Sequence, residues 1–279
     1  MKYNVSKQRG ITLIELMVAA ALGVVLTTAV INIVIVSNKT SAQADGLAQA
    51  QETGRFVAGF LTDALADAGY SGERSTDILA PHANVCAAPD FNVPAGCTIN
   101  RDDQTGDRIT VQRRITNGDD LDCTGSSLNL APGVDEIVID SFWVEGNAVD
   151  EGELYCQTFR DDGNDYGRQK SVIADGVIAM HALYGYSDRI DADPNGNRDV
   201  SIYVAPEDLP LDPAGNPDWA RVYSVKISIL VQSFEEVSIA DKNRGFILLD
   251  ANPFTLQDRF QRQVFTTTIA RANFSTLTD

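Results

Sequence analysis

Three sets of side chains in this 279-residue sequence have types and spacings that could do chemistry. The first is Glu15, the one ionisable group in the apolar run Ile11–Val36, ITLIELMVAAALGVVLTTAVINIVIV, which directly follows the polar stretch MKYNVSKQRG and its terminal Gly10. The second is Asp191, Asp193, Asn195, Gly196, Asn197 and Asp199 in DADPNGNRD, hard oxygen donors at alternating positions around a glycine, which is the spacing of a calcium loop. Ile202 stands where such a loop would place a bidentate glutamate, so a site here would be of another kind and would draw a further ligand such as Asp188. The third is the four cysteines Cys86, Cys97, Cys123 and Cys156, none in a CxxC pair, which fit an oxidising compartment and two disulfides better than a zinc or redox site. Four cysteines permit three connectivities, among which sequence does not choose. Pairing neighbours, Cys86 with Cys97 and Cys123 with Cys156, is the arrangement we expect.

Glu15 asks for an explanation, because a carboxylate inside an apolar helix costs about 2.5–3.5 kcal/mol on insertion scales. Cleavage after Gly10 would leave the apolar run attached and would place a new ammonium on Ile11, four residues from Glu15. An amine of one subunit beside Glu15 of the next would compensate both charges. Lys2, Lys7 and Arg9 precede the run, and by the positive-inside rule they put residues 1–10 in the cytoplasm and the body outside.

Other chemistry is absent or weak. The formal charge of −17, which becomes −20 once the three cations of residues 1–10 are removed, is the wrong sign for a protein that neutralises phosphates, so nucleic acid is not expected as a partner. The two histidines lie apart: His82 reads as a solvated loop residue and His181 as a half-buried strand residue. No G-x-S-x-G, phosphate-cradling glycine loop or zinc-ligand spacing occurs, so an enzyme is not expected. RDDGNDYG, from Arg160, reads as a solvated acidic turn.

The elements that would carry these residues can be read from periodicity. The 26 residues of the apolar run exceed the ~20 that span a bilayer. Beyond them Ala44, Leu47, Gln51, Gly54, Val57, Leu61, Leu65 and Ala68 recur at three- and four-residue spacing, broadened by Phe56 and Phe60, so the helix is expected to continue and to close near Gly69. After Gly72 the chain turns to loops rich in Asp, Asn, Gly and Pro between β-branched runs at Arg108–Ile115, Glu136–Val144, Val172–Tyr186, Arg221–Gln232 and Gln263–Ala270. In the fourth, Tyr223, Val225, Ile227, Ile229 and Val231 alternate with mostly polar residues, which predicts one buried face and one mostly wet. The expectation is an α+β fold: a long N-terminal transmembrane and amphipathic helix packed on an antiparallel sheet with long loops. The segments are 1–10 leader, 11–36 membrane helix, 37–70 periplasmic continuation and 71–279 head.

The G-I-T-L-I-E junction after a basic leader resembles the type IV prepilin signature, with glycine at the cut and glutamate fifth in the mature chain. QETGRF (51–56), AGYSG (68–72), DGV at Asp175, YGYSD at Tyr184, VYSVKISILVQS from Val222 and RQVFTTTIARANF from Arg262 resemble PilW-type minor pilins. The resemblance implies a pilin-like fold, a prepilin peptidase cutting between Gly10 and Ile11, N-methylation of Ile11 and a role for Glu15 in registering subunits. It further implies an inner-membrane protein with a periplasmic head that later joins an extracellular filament. Other minor pilins, the major pilin and a large tip adhesin would be its partners, and no cofactor is required beyond possible calcium. Ile11 stands where the family usually has Phe, Glu73 where relatives have a cysteine, and no proline precedes Pro81, which points to a minor rather than a major subunit. Two other readings share features of the sequence: a large pseudopilin of type II secretion, and a membrane-tethered calcium-dependent adhesin, which Glu15 argues against.

Overall fold

A computed structural model describes residues 12–70, 98–100, 105–115, 121–131, 133–147, 151–160, 166–167, 169–188, 199–213, 215–238 and 240–271. The chain falls into two compact units, residues 1–45 and residues 46–279.

The apolar run and the stripe that follows it form one α-helix, α1 (Leu13–Ala66), with no proline to interrupt it. Gly69 closes it at φ +76°, the left-handed conformation that glycine adopts most easily. Among the described residues ten strands follow: β1 (Arg108–Ile115), β2 (Glu136–Asn147), β3 (Glu151–Arg160), β4 (Ser171–Asp175), β5 (Val177–Tyr186), β6 (Ile202–Val204), β7 (Val222–Glu236), β8 (Lys242–Phe246), β9 (Phe254–Asp258) and β10 (Phe260–Ala270). They make one four-stranded sheet in the order β1-β2-β3-β4, a second in the order β10-β7-β5-β6, and a β8-β9 hairpin. Every pairing between them is antiparallel. The fold is thus α+β with an N-terminal helix, as expected.

Within the second unit, the main core brings Ala50, Val57, Leu61 and Leu65 of α1 together with Ile109, Phe142, Leu154, Met180, Ile227 and Ile229 of the two sheets. The buried row of the helix is Gly46, Ala50, Gly54, Val57, Leu61 and Leu65. This corrects the expected stripe, since Ala44, Leu47 and Phe56 are exposed. Close approach, not side-chain size, selects the row at its upper end. A Cβ on Gly54 would lie 2.1 Å from the Phe265 ring of β10, and one on Gly46 would meet Val237 at 3.0 Å.

Three strand expectations also change. Val172–Tyr186 is two strands, because Gly176 (φ +76°) turns the chain from the first sheet into the second. Strand β7 is buried on both faces: Ile227 and Ile229 meet the core with α1, while Leu230 meets Leu248, Phe254 and Leu256 around the β8-β9 hairpin. The polar sequence KNRGF of β8 gives no hydrophobic signal for that cover. Strand β3, EGELYCQTFR, was not anticipated, although its inward Leu154, Cys156 and Thr158 alternate with Glu153, Tyr155 and Gln157.

Candidate assembly and processing site

Gly10 and Ile11 lie outside the described residues, as do Asp191, Asp193, Asn195, Asn197, Cys86, Cys97 and His82. Glu15, Asp199, Cys123 and Cys156 lie within them.

The site around Glu15 is built by the helix start. Thr12 precedes the first turn, and its hydroxyl accepts the Glu15 N–H at 3.3 Å while its carbonyl accepts the Leu16 N–H at 3.2 Å. Thr12-x-x-Glu15 is therefore a capping-box sequence, a signal present in the chain that the reading of Glu15 as an assembly residue overlooked. The carboxylate also sits in the first turn, where the helix dipole favours negative charge. No ion pair joins Glu15 to another described residue.

Around this acid the side chains are apolar and exposed: Leu13 is 77% exposed, Ile14 71% and Leu16 64%, and the large apolar residues remain exposed to Val36. That exposure is costly in water and suits lipid or the helices of neighbouring subunits. The helix is long and apolar enough to cross a membrane. The threonines within it hide their hydroxyls, Thr27 donating to the Gly23 carbonyl at 2.8 Å and Thr28 to that of Val24 at 2.9 Å.

In the head, the Cys123–Cys156 disulfide is formed, with Cα atoms 6.4 Å apart. It fastens the turn after Leu121 to β3 beside a buried polar network. Asp140 accepts from Arg113 Nε at 2.8 Å and from the Thr158 hydroxyl at 2.6 Å, Thr158 in turn accepts the Cys123 N–H at 2.8 Å, and Arg113 Nη2 donates to the Leu121 carbonyl at 2.6 Å.

The calcium-type loop is represented by Asp199 alone, and the suggested extra ligand Asp188 accepts from the Ser201 hydroxyl. Among the described residues no cluster of His, Cys, Asp or Glu has the geometry to hold a metal.

His181 is 1% exposed, more buried than expected, because the segment Gly106–Asp107 lies along β5. Its Nδ1 is 3.4 Å from Asp107 Oδ1, whose other oxygen accepts the Ala182 N–H at 2.7 Å, so the carboxylate continues the ladder that a strand would have made. A cleft of about 400 Å³ is lined by Glu145, Glu153, Tyr155, Asp175, Gln232 and Phe234. Burial would raise the Glu145 carboxyl, but hydrogen bonds from Lys170 and Trp143 and the charges of Lys170 and Arg108 hold it below its usual range. Hydrogen bonding to Glu153 pushes the Tyr155 phenol up to about 12, so it stays neutral and supplies no base at physiological pH.

Residues 5–31 match the prokaryotic N-terminal methylation motif. Residues 141–273, just under half of the chain and spanning most of β2 through β10, match the Type IV pilus-assembly protein W family. A type IV-like pilin from Thermus thermophilus shares 13% identity over 81% of this chain and 96% of its own, with a TM-score of 0.42. No curated protein matches the chain.

Proposed function

We propose that this chain, a type IV prepilin of the pilus-assembly protein W kind, is a minor pilin: a non-enzymatic subunit that helps to prime filament assembly and sits at or near the filament tip. The observation that carries the reading is a helix whose first 24 residues, Leu13–Val36, expose apolar side chains around a single carboxylate in the first turn. Such a surface has low free energy only in lipid or against other such helices.

The proposed cycle uses the chain's own groups. The basic leader holds residues 1–10 on the cytoplasmic side of the inner membrane, where a prepilin peptidase cuts between Gly10 and Ile11 and the new amine is methylated. The head stands in the periplasm until assembly. Glu15 then pairs with the terminal amine of a neighbouring pilin, which offsets the cost of carrying a carboxylate into the apolar layer. Other minor pilins, the major pilin and a large tip adhesin are the proposed neighbours. Calcium at Asp191, Asp193, Asn195, Asn197 and Asp199 belongs to the same reading. With an extracellular-type dissociation constant of roughly 10⁻⁴ to 10⁻³ M, millimolar calcium should raise the melting temperature of the wild type but not of Asp191→Ala with Asp193→Ala.

The deciding experiment deletes the gene and scores surface pili beside secreted exoproteins. Loss of pili with secretion intact is the expected result. Loss of secretion with pili intact would identify a pseudopilin, and loss of neither would leave a tethered binding protein. Mass spectrometry of the membrane-extracted protein should begin at methylated Ile11.

A further inference from the structure

The sheet edges of the head are guarded unequally. The free edge of β1 is closed by the chain itself: Gly69 N–H donates to the Gln112 carbonyl at 2.8 Å, Arg114 N–H to that of Tyr70 at 2.7 Å, and Ile99 and Arg108 exchange both bonds at 2.9 Å. The β5 edge is closed by Gly106–Asp107 and by β6. Strands β4 and β6 are edges of only five and three residues.

Strand β10 is the exception, an edge of eleven residues. Arg271 N–H donates to the Tyr223 carbonyl at 2.9 Å, which fixes the alternation of the β10-β7 ladder. Gln263, Phe265, Thr267 and Ile269 bond Val231, Ile229, Ile227 and Val225, so Val264, Thr266, Thr268 and Ala270 turn their N–H and C=O groups away from β7. These four residues are exposed, and their outward main-chain groups meet no partner among the described residues. Proteins usually blunt such an edge with charge, proline or a bulge. Residues 263–270, QVFTTTIA, contain no charge and no proline, and the one irregularity in the pairing lies before them, between Phe260 and Arg262.

We infer that the outer edge of β10 is a docking site for an extended, uncharged segment of another pilin subunit, which adds as a fifth strand to the β10-β7-β5-β6 sheet. The inference rests on the minor-pilin reading for the identity of the partner and on the edge geometry for its form. Alternating donors and acceptors in a straight row are complementary to extended backbone and to little else. A second copy of this chain is disfavoured as occupant, because pairing β10 with itself would bring together two bodies of about −20 formal charge.

Thr268→Pro removes one outward N–H and leaves the bonds to β7 in place, since proline is tolerated where an edge N–H faces solvent. Thr268→Glu keeps the backbone and adds a guarding charge, opposite Lys226 of β7. In cells expressing the full chain, both variants should keep wild-type membrane levels and melting temperature, while their content in sheared filaments falls tenfold or more. A photo-cross-linker at Thr268 should attach to a strand of another subunit bearing the prepilin signature, in filaments or in the membrane. Wild-type filament content in both variants would overturn the inference. So would a cross-link to residues 71–97 or 272–279 of the same chain, or to a second copy. Absence of the wild-type chain from filaments, with piliation intact after deletion, would instead sink the minor-pilin reading, and the membrane cross-link would still report on the edge.

Discussion

The two parts of α1 obey opposite rules within one continuous helix. From Leu13 to Val36 large β-branched and aliphatic residues surround the helix and none is buried. From Gly46 to Leu65 a narrow row is buried, and its upper members are glycine and alanine. The first part is shaped for contacts outside this chain and the second for contacts within it. An apolar residue therefore has a different role in each: in the first it sets what the helix dissolves in, and in the second it sets how near the sheet can come.

The sharpest way to break this contrast is to fill the notch at Gly54. Gly54→Leu must displace the Phe265 ring, which already stands 2.1 Å from where a Cβ would be, and overpacking of this kind costs about 3 kcal/mol or more. We expect the head to be largely unfolded in a thermal melt of the detergent-extracted chain, whereas Gly23→Leu, with nothing within 4 Å, should leave the melt unchanged. Of similar size is the effect of the disulfide, whose Cys156 lies in the same core that receives Leu61. It closes a 33-residue separation, worth about 3.5 kcal/mol in the chain-entropy model, so reduction should lower the melting temperature by many degrees. An unchanged melt would show that the Arg113–Asp140–Thr158 network holds the turn without it.

Matched truncations come third. Leu61→Ala should destabilise the head by about 3 kcal/mol through the cavity it leaves. Val25→Ala, 66% exposed, should cost the head nothing measurable and alter only membrane retention. Equal shifts in the two melts would erase the contrast. Last comes Glu15→Gln, for which no change in the melt is expected while incorporation into sheared filaments falls. Thr12→Ala serves as its partner control, because it removes the cap and leaves the acid.

What the sequence disclosed depended on how local the signal was. The apolar helix, its closure at Gly69 and strand β1 follow from runs and periods within a dozen residues, and the structure has a helix, a left-handed Gly69 and a strand at these places. The missed features depend on distant partners. Leu230 is buried by a hairpin some twenty residues away, His181 by a segment more than seventy residues earlier, and the Gly46–Gly54 row by side chains of β10 and the turn after β7. No window on α1 contains Phe265. The Cys123–Cys156 pairing was expected as a joining of neighbours and is formed, whereas β3, which carries Cys156, went unrecognised as a strand despite its alternation.

The closure of β1 by Gly69 and Tyr70 has a mechanical consequence. The two bonds from that turn, Gly69 N–H to Gln112 and Tyr70 C=O from Arg114, lie two residues apart along β1 and just beyond the end of α1. Tension drawn along the second part of the helix reaches β1 through this clasp, and β1 passes it to β2 across an eight-residue register. A ladder loaded along its strands must break several bonds at once, whereas one peeled from its end breaks them singly. The turn that ends the helix thus sets the geometry in which the first sheet meets a pull.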